Sequence, residues 1–150
     1  MCAINEATVT VVNTTTFKTV CTMKCGGTVN AVDFSPKGTF LTTWHRPPSG
    51  ANEKNLIVWK VATGEEAFSQ FQKVYTKEMW PTLLWNKYES VACRCVTNEV
   101  HFYNGSDFSQ GITSRLRISG VSVAALSPKA ENPTVAVMVP SLKVFIGLTG

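Results

Sequence analysis

The sequence predicts an all-β chain assembled from a recurring four-stranded antiparallel unit, and three observations carry that reading. Short alternating apolar runs recur along the chain, turn-forming residues join them, and no stretch sustains the spacing of an amphipathic helix. The clearest case is "TVNAVDFSPKGTFLTTW", Thr28 to Trp44, in which two apolar strands flank Ser-Pro-Lys-Gly. Both strands carry apolar residues on both faces, so this hairpin needs cover from two sides. The unit then returns. "AVDFSPKGTFLTTW" from Ala31, "TLLWNKYESVACRC" from Thr82 and "VAALSPKAENPTVAV" from Val123 align on Phe34, Trp85 and Leu126, 51 and then 41 residues apart.

Taken in order, "TVTVVN" (Thr8 to Asn13) and "FKTVCTM" (Phe17 to Met23) read as the last two strands of a partial unit over 8–27. Residues 28–73 hold the first full unit: the opening hairpin, the loop "RPPSGANEKN" from Arg46 to Asn55, the strand "NLIVWKV", the turn "ATGEE" and the strand "AFSQFQ". Residues 80–118 hold the second, with "NEVHFY" (Asn98 to Tyr103), the turn "NGSD" and a weaker strand towards "RLRI". Residues 119–143 form a partial unit that stops after its second strand, at Pro140, and 144–150 read as a divergent tail. The Ser-Pro-Lys-Gly and Thr-Gly-Glu turns supply a proline-set φ and a glycine tolerant of positive φ, as tight hairpins require. Four-stranded units of about 40 to 50 residues in series predict a β-propeller sector, two full blades flanked by two partial ones. Blades stacked sideways cover both faces of each sheet, which is what the opening hairpin demands.

Composition bounds the function. A chain of 150 residues, 44% apolar and 16% charged, is one globular domain or part of one. Its apolar runs fall well short of the roughly 20 residues that cross a bilayer. The start, "MCAINEATVTVV", has no basic segment followed by an apolar one, so the expected location is cytoplasmic, with no membrane partner. There Cys2, Cys21, Cys25, Cys93 and Cys95 are expected as free thiols on strands, and their spacing fits neither a CxxC knuckle nor a Cys/His finger. No metal is expected. The net charge of +4 is mild, and "RLR" at Arg115 to Arg117 is the longest basic cluster. No phosphate-binding glycine loop and no nucleophile-base spacing around His45 or His101 is present, so neither cofactor, small-molecule substrate nor catalytic residue is expected. Trp44, Trp59, Trp80 and Trp85, with Phe34, Phe102 and Tyr103, are expected to fill blade cores rather than stack on bases.

"NLIVWKVATGEEAFSQF" resembles the third strand, turn and fourth strand of a WD-repeat blade. Lys60 stands where the Asp of Trp-Asp would be and no Gly-His pair opens the blade, so the repeat is degenerate and expected to lack the usual buried polar tetrad. "VDFSPKGTFLTTWHRP", "NLIVWKVATGE", "WPTLLWNKYESVACRCVTNEVHFY" and "LSPKAENPTVAVMVPSLK" together resemble the early blades of the eukaryotic translation initiation factor 2A family. The most specific element is "ACRCVTNEVHFY", with Arg94, Asn98, Glu99, Val100, His101 and Phe102 in step with the family pattern. The resemblance runs from about Thr8 to Lys143 and spans a minority of the family's length. It implies a non-enzymatic cytoplasmic factor that associates with the small ribosomal subunit and supports GTP-independent delivery of initiator methionyl-tRNA. Other initiation factors are implied as partners, with initiator tRNA and mRNA contacted through regions outside these residues. It further implies a truncated isoform or gene-model product, whose open sheet edges make it prone to aggregate or to need a partner. Two alternatives stay open: a generic WD-repeat protein-interaction scaffold, and the propeller subunit of initiation factor 3, which normally follows an RNA-recognition domain.

Four residues are candidates for contact with ribosomal RNA. Lys37, Lys87 and Lys129 fall in the turns between first and second strands, which open on one face of a propeller. Glu65, Glu66 and Asp107 lie in or beside the neighbouring turns, so the lysines read either as a phosphate-contacting row or as ordinary solvated turn residues. Arg46 sits on the opposite rim.

Overall fold

The computed structural model describes residues 1–47, 52–140 and 143–148. Positions 48–51, inside the loop expected from Arg46 to Asn55, lie outside the described residues, as do 141, 142, 149 and 150 around the expected end of the last partial blade. Two compact units divide the chain, Met1–Trp80 and Pro81–Gly150.

The first unit contains two antiparallel sheets. β1 (Cys2–Asn5), β2 (Thr8–Val12) and β3 (Thr19–Lys24) form a three-stranded sheet. β4 (Val29–Phe34), β5 (Phe40–His45), β6 (Leu56–Lys60) and β7 (Glu66–Gln70) form a four-stranded one in sequential order. Alternation decides which side chains meet. Val9 and Val11 of β2 and Cys21 and Met23 of β3 pack against Leu41, Ile57 and Trp59, covering one face of the four-stranded sheet. Its other face presents Ala31, Trp44 and Leu56 to Tyr75 and Trp80. Trp44 stacks on Tyr75 with ring centroids 4.8 Å apart, and Tyr75 meets Trp80 edge-on at 5.8 Å. The indole N–H groups are satisfied too: Trp44 Nε1 donates to the Gln72 carbonyl at 3.2 Å and Trp80 Nε1 to that of Val32 at 3.2 Å. A fully buried side chain of this size contributes about 1.5–3 kcal/mol, and Trp44 is buried while Tyr75 and Trp80 are half-buried.

One buried polar residue ties the strand ends together. Asn55 is fully buried. Its Nδ2 donates to the His45 carbonyl at 2.8 Å and the Gln72 carbonyl at 2.9 Å, and its Oδ1 accepts from Gln72 N at 2.7 Å. Trp59 Nε1 donates to Thr43 Oγ1 at 2.9 Å, a second buried polar pairing within the sheet. His45, buried alongside, leaves its Nδ1 without a partner, and burial pushes its imidazole below the ordinary histidine range against a smaller opposing pull from Glu53.

The second unit repeats the plan. β8 (Leu84–Trp85), β9 (Val91–Val96), β10 (Glu99–Asn104) and β11 (Ile112–Arg117) form a four-stranded antiparallel sheet. β12 (Val123–Leu126), β13 (Thr134–Val139) and β14 (Lys143–Leu148) form a three-stranded one. Cys93, Val100 and Phe102 of the first pack on Ala124, Val135 and Val137 of the second. Trp85 and Tyr103 both meet Phe108, at 5.2 Å and 5.7 Å between centroids. The aromatic residues therefore pack, as their sequence context predicts.

The fold is all-β, with two four-stranded and two three-stranded sheets among the described residues, as expected of a partial propeller. Two strands lie beyond the expected limits and correct them. β1 precedes Thr8 and pairs with β2, from Cys2 opposite Val11 to Asn5 opposite Thr8. β14 occupies most of what reads as the divergent tail and pairs with β13, so the last sheet does not stop after its second strand at Pro140. Each was obscure for its own reason. "CAIN" is too short to show a period, and "KVFIGL" departs from the family pattern, yet either can hydrogen-bond to an available strand edge whatever its side chains.

Gly105 sets the tightest steric limit. A Cβ there would lie 2.0 Å from the Glu89 carbonyl oxygen and 3.0 Å from Ser90 C, both backbone atoms. Gly105→Ala is expected to cost about 1–3 kcal/mol or more by forcing the two turns apart. Gly38→Ala, at φ +74° with nothing within 4 Å, is expected to cost only about 1 kcal/mol. Denaturant midpoints of the two variants check this ordering. A second expectation concerns pH: the unfolded chain protonates His45 near pH 6.5 while the folded chain resists, so stability falls as pH drops below that value. The melting temperature should be lower at pH 5.5 than at pH 7.5, and His45→Gln should reduce that difference.

Candidate functional site

Three turns between first and second strands share one device. In turn 35–39, Ser35 Oγ accepts from Phe40 N at 2.9 Å, and Ser35 N donates to the Phe40 carbonyl at 3.0 Å. In turn 86–90, Asn86 Oδ1 accepts from Val91 N at 3.2 Å while Asn86 N donates to the Val91 carbonyl at 3.1 Å. In turn 127–133, Ser127 Oγ accepts from Thr134 N at 2.8 Å and Ser127 N returns a bond to the Thr134 carbonyl at 2.8 Å. A short polar side chain just after Phe34, Trp85 or Leu126 thus closes each turn onto the start of the next strand, a job Ser and Asn do by bonding nearby backbone.

Lys37, Lys87 and Lys129 lie in these closed turns, each exposed. Antiparallel order brings the third-to-fourth-strand turn to the same end of each sheet. Val61 N donates to the Thr39 carbonyl at 3.0 Å, and Gly105 N to that of Ser90 at 3.0 Å. Within the second unit the structure also brings two lysine turns together: Asn86 Nδ2 donates to the Lys129 carbonyl at 2.7 Å and Ser90 Oγ to the Ala130 carbonyl at 2.7 Å. Lys37 holds the equivalent place in the first unit. Arg46 is exposed at the opposite end of β5, where its N–H donates to Asn30 Oδ1 at 3.2 Å, so it does not join Lys37. The neighbouring carboxylates are engaged locally. Glu65 accepts from Thr63 Oγ1 at 3.1 Å, Glu66 from Ser69 Oγ, and Asp107 from Ser109 N at 3.1 Å and Gln110 Nε2 at 3.0 Å.

No family model matches the chain. It is 39% identical over 144 residues to the eukaryotic translation initiation factor 2A of Schizosaccharomyces pombe, covering 94% of the chain and 24% of that protein. The Dictyostelium discoideum protein of the same name is 33% identical, over 67% of the chain and 16% of that protein. The Drosophila melanogaster one is 32% identical, over 75% and 18%. A crystal structure described as that of the eukaryotic initiation factor superposes with a TM-score of 0.84 at 33% identity, covering 98% of the chain and 37% of that structure. The chain belongs to the eukaryotic translation initiation factor 2A family. It spans about a quarter of the fission yeast relative's length.

In this initiation factor 2A family chain, the loops of the second unit also form a cleft that was not legible in the sequence. A cleft of about 430 Å³ in the second unit is lined by Ser90, Asn104, Gln110, Ser114, Asn132 and Pro133 among others. Its signal was the density of turn-forming Asn, Ser, Gly and Pro in "NGSD" and "KAENP", which reads as loop without revealing that the two loops converge. Its amide and hydroxyl groups can hydrogen-bond a polar ligand, and the lysines can meet anions. The thiols offer little reactivity: burial pushes Cys93 up to about 12, and burial likewise raises Cys2, Cys21, Cys25 and Cys95. Among the described residues no group of three or more His, Cys, Asp or Glu side chains is placed to hold a metal ion.

Asn86 is the joint of this region. Asn86→Ala removes the turn closure and the link to Lys129, leaving part-buried backbone groups without these bonds at an expected cost of about 1–2 kcal/mol. Asn86→Ser should restore the turn bond, as Ser35 and Ser127 make it, but not the link to Lys129. An intermediate stability for the serine variant, read from denaturant unfolding, checks the assignment.

Proposed function

We propose that this chain acts as the early-blade portion of an initiation factor 2A, associating with the small ribosomal subunit and supporting GTP-independent delivery of initiator methionyl-tRNA in the cytoplasm. In this reading it is not an enzyme and works alongside other initiation factors, with initiator tRNA and mRNA held by parts of the factor outside these residues. Blades run over 28–73 and 80–118, with partial blades at 8–27 and 119–143 extended by β1 and β14. The contact residues are Lys37, Lys87 and Lys129, with Arg46 contributing from the opposite rim.

The observation that carries this reading is the repetition of an exposed lysine within three turns closed by the same side-chain device. A closed turn holds its lysine with less freedom to lose on binding, which favours phosphate contact over mere solubility. The family relatives' names supply the translational context. Sucrose-gradient sedimentation in lysate tests it. The chain should comigrate with small subunits at low salt and dissociate as salt rises. Changing Lys37, Lys87 and Lys129 to Glu should abolish comigration, and in a binding titration the salt slope should fall by about 2 to 3 for three lost phosphate contacts. Comigration unaltered by the triple change would reject the lysine surface.

A further inference from the structure

The register of the second unit's four-stranded sheet assembles a basic row that no single segment of sequence contains. His101 of β10 stands directly opposite Arg94 of β9 on one side and Arg115 of β11 on the other. One step along the same face, Glu99 stands opposite Arg117. Glu99 is the hub: its carboxylate bonds His101 Nε2 at 2.8 Å and accepts from Arg117 Nε at 3.2 Å. Of the three arginines of the row, Arg117 bonds this carboxylate, and the His101 hydrogen bond, with smaller help from Arg115 and Arg117, holds it below the usual carboxylate range. Arg94 Nε and Nη1 and His101 Nδ1 are buried without a hydrogen-bond partner, so at the inner end of the row two guanidinium N–H donors of Arg94 are unanswered by the protein.

The outer end is open. β11 is the outermost strand of its sheet, Arg115 is exposed, and the Arg117 side chain is 83% exposed. Leu116 between them turns to the opposite face and packs with the core of Val100 and Val135. Along a strand, residues two apart are roughly 7 Å apart, so Arg115 and Arg117 present two cationic forks in line with no apolar residue between them. Protein interfaces centre on apolar anchors, which this edge lacks. Backbone-directed nucleic-acid contacts need only aligned cations and donors, and the planar guanidinium suits a phosphate best.

We propose that the outer edge of this sheet, Arg115 and Arg117 backed by Arg94, binds the sugar-phosphate backbone of single-stranded or looped RNA. The choice of RNA over another polyanion rests on the translational reading above, but the residues differ from the lysine turns and can be tested apart from them. Fluorescence anisotropy with a labelled oligouridylate as probe compares the full chain with Arg115→Gln/Arg117→Gln, with Arg115→Lys/Arg117→Lys and with Lys87→Glu/Lys129→Glu. The glutamine pair should weaken binding at least tenfold, since charged hydrogen bonds contribute more than one order of magnitude together. It should also flatten the salt dependence by about 1.4 in slope for two single-strand phosphates. The lysine pair, retaining charge and fold, should keep most of the affinity. RNA affinity unchanged in the glutamine pair would overturn the proposal, as would tighter binding of a polyglutamate peptide than of RNA to the unaltered chain. Loss of RNA binding in the glutamine pair with gradient comigration unaffected would uphold the edge site as separate from the lysine surface. Loss in the Lys87→Glu/Lys129→Glu variant alone would refute it.

Discussion

A four-stranded sheet with apolar side chains on both faces must be covered twice, and the rest of this structure depends on how that is done. In the first unit one face of β4–β7 packs on Val9, Val11, Cys21 and Met23, and the other lies under Tyr75 and Trp80. Once both faces are occupied, every polar atom trapped between them has to find a partner inside the protein or cost free energy. Asn55 meets that demand with three side-chain hydrogen bonds, joining the ends of β5 and β6 to the segment that carries Tyr75 over the sheet. Trp44 adds its own bond to the same Gln72 carbonyl, so the apolar cover and the polar tie converge on one peptide group.

The same constraint leaves sheet ends and edges as the exposed polar surfaces. Strand interiors are committed to packing, leaving the turns and the outermost strand as the surfaces free to meet a partner. Ser35, Asn86 and Ser127 close the turns with side chains, so exposed Lys37, Lys87 and Lys129 are carried on braced loops. Asn86 differs from the two serines by having an amide N–H₂ to spare, and it spends one N–H on the Lys129 carbonyl. Asn86 thus adds to the Ser90 bond with the Ala130 carbonyl a second stitch between the two sheets at that end.

Much of this was legible in the sequence because it is local. The alignment of Phe34, Trp85 and Leu126 marks each turn, and the Ser or Asn that follows is the closing residue in all three cases. Alternation in "TVTVV" reads directly as one face in and one face less buried, while in "NEVHFY" the adjacent Phe102 and Tyr103 mark a strand buried on both faces. The strands at Cys2–Asn5 and Lys143–Leu148 were not legible, since their pairing is supplied by a neighbour's edge rather than by their own pattern. The cleft was hidden for a related reason: Ser90, Gln110 and Asn132 come from three loops, and only the fold makes them neighbours.

The basic row shows the limit most sharply. "RLR" is visible as a charge cluster, but its relation to Arg94 and His101 depends on a one-residue shift between β10 and β11. Below the irregularity His101 faces Arg115 and Val100 faces Leu116, while above it Tyr103 faces Ile112. Thr113 is the residue passed over, and its Oγ1 donates to the Phe102 carbonyl at 3.2 Å, giving the interrupted ladder a side-chain bond. Continuing the upper register without the bulge would set Arg115 opposite Val100, directing both arginines into the apolar face and Leu116 into solvent, because a shift of one residue exchanges the faces of a strand. The bulge therefore does two things at once: it buries Leu116 in the core and aligns Arg115 and Arg117 with Glu99 and His101. Packing selects that register strongly, and the cationic edge comes with it, since the apolar side chain between two arginines can be buried only if both arginines face the other way.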